Sequence, residues 1–322
     1  MPKPLLFLAP FSKNAWSRSS MSQASLSLAP LVFVVIFATG FVGARLAMPY
    51  SEPATFLMVR FAITLVLLTI IAWLSRAVWP RGITFAWLLL IGAMLHGLYL
   101  WSVFWVIDRG MPAGISAVII GLQPITTAVF AASFLGDRIT QGQRLGLAGG
   151  FVGVVMVLWP GFDWQSGGIT ILTIALATFG MVMLSGSTVL QKALGQTTDV
   201  RTGTAVQYIG ALIPVTAFSF LFETQAIVWS GEMIFAMVWA VLVLSIAAIY
   251  LLMWLIKQGS VAQVAGYFYL IPTFAALFSF VLFGESLSVF QMAGMALCAL
   301  SVALASGTIR LSSRRPSPET IE

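Results

Sequence analysis

The chain has 322 residues, 60% hydrophobic and only 8% charged, with a mean hydropathy of +1.00 and a formal charge of +6. So little polar surface cannot solvate a water-soluble domain of this size. The single cysteine, Cys298, excludes an intramolecular disulfide and is expected to be a small buried packing residue.

The first 27 residues hold Pro2, Pro4, Pro10 and many serines, and are expected to form a disordered cytoplasmic tail, with Met21 as an alternative start. The apolar run Leu5–Ala9 is too short for the core of a signal peptide. Ten apolar stretches follow, at 28–48, 53–74, 83–107, 112–135, 143–159, 167–190, 202–222, 233–256, 261–283 and 287–308. Each approximates the ~20 residues that cross a hydrocarbon core as a helix. Short connections leave no room for a soluble catalytic or nucleotide-binding domain. Residues 310–322 form a second cytoplasmic tail.

With the N-terminus inside, thirteen Lys and Arg residues fall on the cytoplasmic side, and only Arg45, Arg60 and Arg109 on the outer side. This positive-inside asymmetry explains the basic excess as a topology signal in the inner (plasma) membrane, with both termini cytoplasmic. No nucleic-acid partner is implied.

A segment of the first half recurs in the second. Trp105, Ile107, Gly110 and Ala113 are answered by Trp254, Ile256, Gly259 and Ala262 at an offset of 149. Pro124, Gly136, Asp137, Gln143 and Gly146 are answered by Pro272, Gly284, Glu285, Gln291 and Gly294 at 148. So many spaced matches indicate duplication. Five spans per half force the second copy to enter from the opposite side. The expected fold is an all-α membrane protein of ten helices in two inverted five-helix repeats, 28–160 and 166–309.

Asp137 and Glu285 precede helices, where a negative charge favours the N-terminus; a gating role is the alternative. Gly136 and Gly284 suit helix C-termini. Pro124 and Pro272 fall mid-span and free the carbonyls of Ile120 and Phe268, marking either kinks alone or the breaks that shape a transport cavity and its gate. In the fifth span Gly142, Gly146, Gly149 and Gly153 give two GxxxG spacings, expected to pack helices within a monomer, with a homodimer as the alternative.

No carboxylate lies near the centre of any span. His96 is mid-span in the third stretch, with Tyr99 three residues on. It lines a cavity or makes a structural hydrogen bond, and lacks the companions of a metal site. Arg60 either snorkels to the outer headgroups or faces inward to pair with a substrate carboxylate or a helix C-terminus. Gln123 and Gln207 tie helices together or contact cargo. Trp101 and Tyr250 occupy equivalent repeat positions, as do Trp105 and Trp254, the latter pair suited to an interfacial belt. Tyr267 and Tyr269, about one turn before Pro272, are further cavity candidates.

Phe37 to Arg45, Phe-Ala-Thr-Gly-Phe-Val-Gly-Ala-Arg, resembles the Trp-Gly-Ser-Asn-Phe-Val-x-x-Lys stretch of the drug/metabolite transporter superfamily, in its EamA-type ten-helix branch. Phe41 and Val42 match directly and Arg45 takes the basic position. Arg60-Phe61 resembles the family's Arg-Phe signature, and the Gly-acid turns before Gln143 and Gln291 resemble the motif ending each half. The resemblance covers about residues 28–308 and implies ATP-independent transport of small organic metabolites, often amino-acid export. Phe37, Ala38-Thr39-Gly40, Leu184 and Ser187 depart from the family pattern, which points to a differently shaped cavity. The His96/Tyr99 pair faintly resembles the aromatic-amino-acid exporter branch.

The expected function is a secondary transporter exporting amino acids or related compounds by alternating access, with His96, Tyr99, Gln123, Tyr250 and Tyr267 near cargo, and Arg60, Gln207 and Trp101 as further candidates. An uptake carrier for a metabolite or nucleotide-like solute, or a membrane sensor or assembly factor, are the alternatives. The absence of a cluster of acids, nucleophiles or metal ligands argues against an enzyme, and no cofactor or metal is implied.

Overall fold

The computed structural model describes residues 23–111, 116, 119–136, 139–159, 168–194, 198–258, 267–271, 273–274, 277–278, 281 and 288–305. Pro272, Asp137, Gly284 and Glu285 lie outside the described residues. The protein is all-helical. Its helices are α1 (Gln23–Ala47), α2 (Pro53–Leu74), α3 (Gly82–Asp108), α4 (Gln123–Leu135), α5 (Gln141–Leu158), α6 (Ile171–Leu194), α7 (Val200–Phe222), α8 (231–258) and α9 (Val289–Ala305). Among the described residues, five helices are long and apolar enough to cross a membrane. α1 begins five residues before the expected boundary at 28: the stretch from Gln23 to Ser27, read as tail by composition, is already helical.

Helix ends are fixed by local chemistry. Thr140 and Gln143 form a capping box on α5: Gln143 N donates to Thr140 Oγ1 (3.2 Å) and Thr140 N to Gln143 Oε1 (3.0 Å). Ser288 and Gln291 repeat it on α9, at 3.2 and 2.9 Å. The recurrent glutamine of the duplicated motif is therefore a capping residue, and α5 starts two residues earlier than expected. Replacing Thr140 with Ala is expected to cost about 1 kcal/mol, read as a lower unfolding midpoint with flux preserved. Gly136 ends α4 in the left-handed conformation, φ 71°, as its position predicts.

Acidic residues also join the two halves. The Glu223 carboxylate accepts from Ala54 N (2.8 Å), Thr55 N (2.7 Å) and Thr55 Oγ1 (2.8 Å), so a residue at the end of α7 caps the start of α2. Glu52 in turn accepts from Thr224 N and Oγ1, both at 2.8 Å. Tyr50 Oη donates to Glu232 (2.6 Å), and this hydrogen bond raises the Tyr50 pKa above its ordinary value.

Small residues set the interhelical distances. A Cβ on Gly92 of α3 would lie 1.8 Å from the Gln207 carbonyl oxygen of α7, so the two backbones touch. α5 and α9 meet in the same way, Gly153 against the Gly294 carbonyl and Gly146 against that of Ser301. The GxxxG residues Gly146, Gly149 and Gly153 thus face α9 of the same chain. Cys298 is fully buried at this contact, as expected, with Sγ 3.8 Å from the Gly150 carbonyl.

Two helices carry π-helical turns, Ala93–Leu98 in α3 and Ala240–Ala247 in α8. The 149-residue offset carries 93–98 onto 242–247, so the turns occupy matching positions in the two repeats. Such turns insert an extra residue per turn and are frequent at functional sites.

Candidate functional site

The π-helical turns hold His96 and Ser245, which are repeat mates at an offset of 149, each against residues of both α2 and α7. α2 contributes Arg60 and Phe61; α7 contributes Gln207 and Tyr208. These dipeptides also correspond, Val59-Arg60-Phe61 against Val206-Gln207-Tyr208, at an offset of 147. The site is thus assembled from the same three positions of each repeat. Its one fixed charge belongs to the first copy.

Arg60 turns inward, 7% exposed, which removes the snorkelling alternative. Its Nε donates to Ser245 Oγ at 2.9 Å. Tyr208 Oη donates to the Ser245 carbonyl at 3.2 Å. His96 stacks on Tyr208 with ring centroids 4.7 Å apart and planes at 20°, while Phe61 meets Tyr208 edge-on at 5.4 Å. Among the described residues no carboxylate pairs with Arg60. Its guanidinium also lies over the Phe61 ring, 5.8 Å from the centroid, so its partners among the described residues are neutral; a buried guanidinium is costly to maintain without an anion.

Beside it, Gln207 Nε2 donates to Gln191 Oε1 of α6. His96 Nε2, Gln207 Oε1 and Thr204 Oγ1 are buried with no hydrogen-bond partner among the described residues. The side chains of His96 and Gln207 approach one another beside the stack. The result is one buried cation beside polar groups of both repeats and stacked rings.

The other expected residues are distributed around this centre. Tyr99 follows the π-helical turn and packs with Phe33, Leu184 and Ile249, away from the Phe61 and Tyr208 rings that hold His96. The i, i+3 spacing that would align them in an α-helix does not hold through a π turn. Tyr267 borders that apolar cluster. Gln123 is buried and donates to Thr127 Oγ1 at 2.9 Å, its Oε1 has no partner among the described residues, and its carbonyl accepts from Ser185 Oγ of α6 at 3.3 Å. Pro124 is not mid-helix: it sits in the first turn of α4, just after a turn at Gly121 and Leu122, where its missing N–H costs nothing. Tyr250 is half-buried, its hydroxyl without a partner among the described residues, and Trp101 stacks on Phe218 at 3.9 Å. Trp105 carries Arg109 over its ring at 5.0 Å, as a residue of an interfacial belt does. Tyr269 is buried against Gly150 of α5. Tyr208 and Ser245 were not evident beforehand; the correspondence of residues 59–61 with 206–208 is the sequence signal that locates Tyr208.

The pattern of the EamA-like transporter family matches residues 24–159 and again 171–307. The chain belongs to this family. It is therefore a multi-pass transporter of the drug/metabolite transporter superfamily with two EamA repeats, and not an enzyme. The uncharacterized transporter YvbV of Bacillus subtilis (strain 168) is 27% identical over 292 residues, covering 88% of this chain and 91% of YvbV. A second uncharacterized transporter of that organism, YyaM, is 29% identical over 210 residues, 61% of this chain and 65% of YyaM. A solved crystal structure with 20% sequence identity superposes with a TM-score of 0.74, over 88% of this chain and 97% of that one, and shares the fold. In this EamA-like transporter, both repeats supply side chains to the Arg60 centre.

Proposed function

We propose that this EamA-like protein is a secondary carrier that exports small organic metabolites bearing a carboxylate, amino acids or related compounds foremost, without ATP. The observation that carries this reading is Arg60, a buried cation whose hydrogen-bonding partner among the described residues is a neutral serine. Ten spans in two inverted five-helix repeats, with both termini cytoplasmic, give the carrier its alternating access: the repeats rock around a site built from both. Pro124, in the first turn of α4, stands beside that path. His96, Gln207, Tyr208 and Ser245 orient the cargo, while Tyr99, Gln123, Tyr250, Tyr267 and Trp101 line its route. The protein works as a monomer in the plasma membrane.

Cells overproducing the chain are expected to tolerate toxic concentrations of at least one amino acid or its analogue, and cells producing the Arg60→Gln variant to lose that tolerance. Equal tolerance across a broad metabolite panel, with and without the chain, would contradict export. Replacing His96 with Phe keeps a ring on Tyr208 and removes Nε2. Efflux is expected to fall about tenfold, the worth of roughly one hydrogen bond to a charged or polar cargo group, measured with labelled substrate in membrane vesicles.

A further inference from the structure

We propose that the connection between α2 and α3 binds the phosphodiester headgroup of an anionic phospholipid. α2 ends in a paired hydrogen-bond arrangement: Ala77 N donates to the Ala72 carbonyl (3.0 Å) and Arg76 N to that of Trp73 (3.1 Å). This geometry holds residue 76 in the left-handed conformation, φ 50°. Glycine is the usual occupant, because an L side chain is disfavoured there. The chain instead places an arginine, whose side chain makes no hydrogen bond or ion pair among the described residues. A side chain retained against its backbone preference points to a function.

The surroundings identify the ligand. Arg76 lines an open cavity of about 490 Å³ together with Trp73, Leu74 and Trp79. Trp73 is 76% and Val78 80% exposed, and Leu74 is exposed as well. An apolar wall beside a guanidinium fits an acyl chain below a phosphate, with indoles at headgroup level. Arg81 is exposed on the same connection, and no acidic residue occurs between Glu52 and Asp108. Two positive charges therefore face the headgroup layer without a nearby acid in sequence. The connection is anchored before any lipid arrives, because Thr202 Oγ1 of α7 donates to the Val78 carbonyl at 2.8 Å.

The test titrates the purified full-length chain in detergent with phosphatidylglycerol, phosphatidylcholine or soluble glycerol phosphate, following the thermal unfolding midpoint. Phosphatidylglycerol is expected to raise the midpoint, and the other two to leave it unchanged. In the Arg76→Gly, Arg81→Gln double variant, the apparent affinity for phosphatidylglycerol should fall about fivefold per arginine, roughly thirtyfold for both, at ~1 kcal/mol per basic residue. Glycine relieves the left-handed backbone at 76, so the variant's midpoint without anionic lipid should equal or exceed that of the parent. An equal rise in parent and variant, or an equal rise with phosphatidylcholine, overturns the proposal. An equal rise with glycerol phosphate also overturns it, by assigning the cavity to a free phosphate. A variant that melts early without anionic lipid overturns it too, by making the arginines structural.

Discussion

Replacing Arg60 with Gln is expected to reduce carboxylate efflux about a hundredfold while leaving the fold intact. Truncating one partner of a buried charge pair typically removes ~2–5 kcal/mol of binding, and 3 kcal/mol corresponds to roughly a hundredfold. Glutamine can still bond Ser245, whereas its neutral amide cannot hold an anion. Because Arg60 has no protein carboxylate as partner among the described residues, its removal strands no opposite charge, and stability should be unchanged or higher. Arg60→Lys keeps the charge but loses the planar fork, so an intermediate loss of about tenfold is expected. Initial rates in proteoliposomes, beside unfolding midpoints of the same preparations, separate these outcomes. Full activity in Arg60→Gln would place the cargo elsewhere.

The second large effect is structural. Gly92→Ala would drive a methyl group to 1.8 Å from the Gln207 carbonyl oxygen, a backbone atom that cannot swing aside. α3 and α7 must then separate, at a cost of about 1–3 kcal/mol or more. The displacement also moves Gln207 away from Gln191 and disturbs the His96 stack on Tyr208. Both the unfolding midpoint and the efflux rate should fall. Gly231→Ala is the matched control: its added methyl group meets nothing within 4 Å, so neither reading should drop.

Much of this was legible in the sequence, for physical reasons that also mark where legibility ends. Long apolar runs and the recurrence of Trp105, Pro124 and Gln143 disclose the helices and the duplication, because hydropathy and spacing are properties of the chain alone. The role of Gln143 and Gln291 was visible in the Thr-x-x-Gln and Ser-x-x-Gln spacing of a capping box, yet the neighbouring acids drew the capping assignment. The direction of Arg60 was not readable. α2 is apolar on every side, so no periodicity marks its inward face. Packing against Ser245 and Tyr208 decides it. Nor could spacing reveal the π-helical turns, which shift the register of α3 and part Tyr99 from His96. In sequence Tyr208 and Ser245 are ordinary residues of apolar spans; only packing places them beside their repeat mates, Phe61 and His96.

Whether the Arg60 centre carries a carboxylate cargo is read out by counterflow in proteoliposomes. Vesicles holding the purified chain are preloaded with an unlabelled amino acid panel and given the same labelled compounds outside, each paired with its decarboxylated amine. Counterflow of at least one amino acid is expected, with no competition from the matching amine and with loss of counterflow in Arg60→Gln. Exchange that accepts the amine as readily as the acid, or that survives the loss of Arg60, would contradict it.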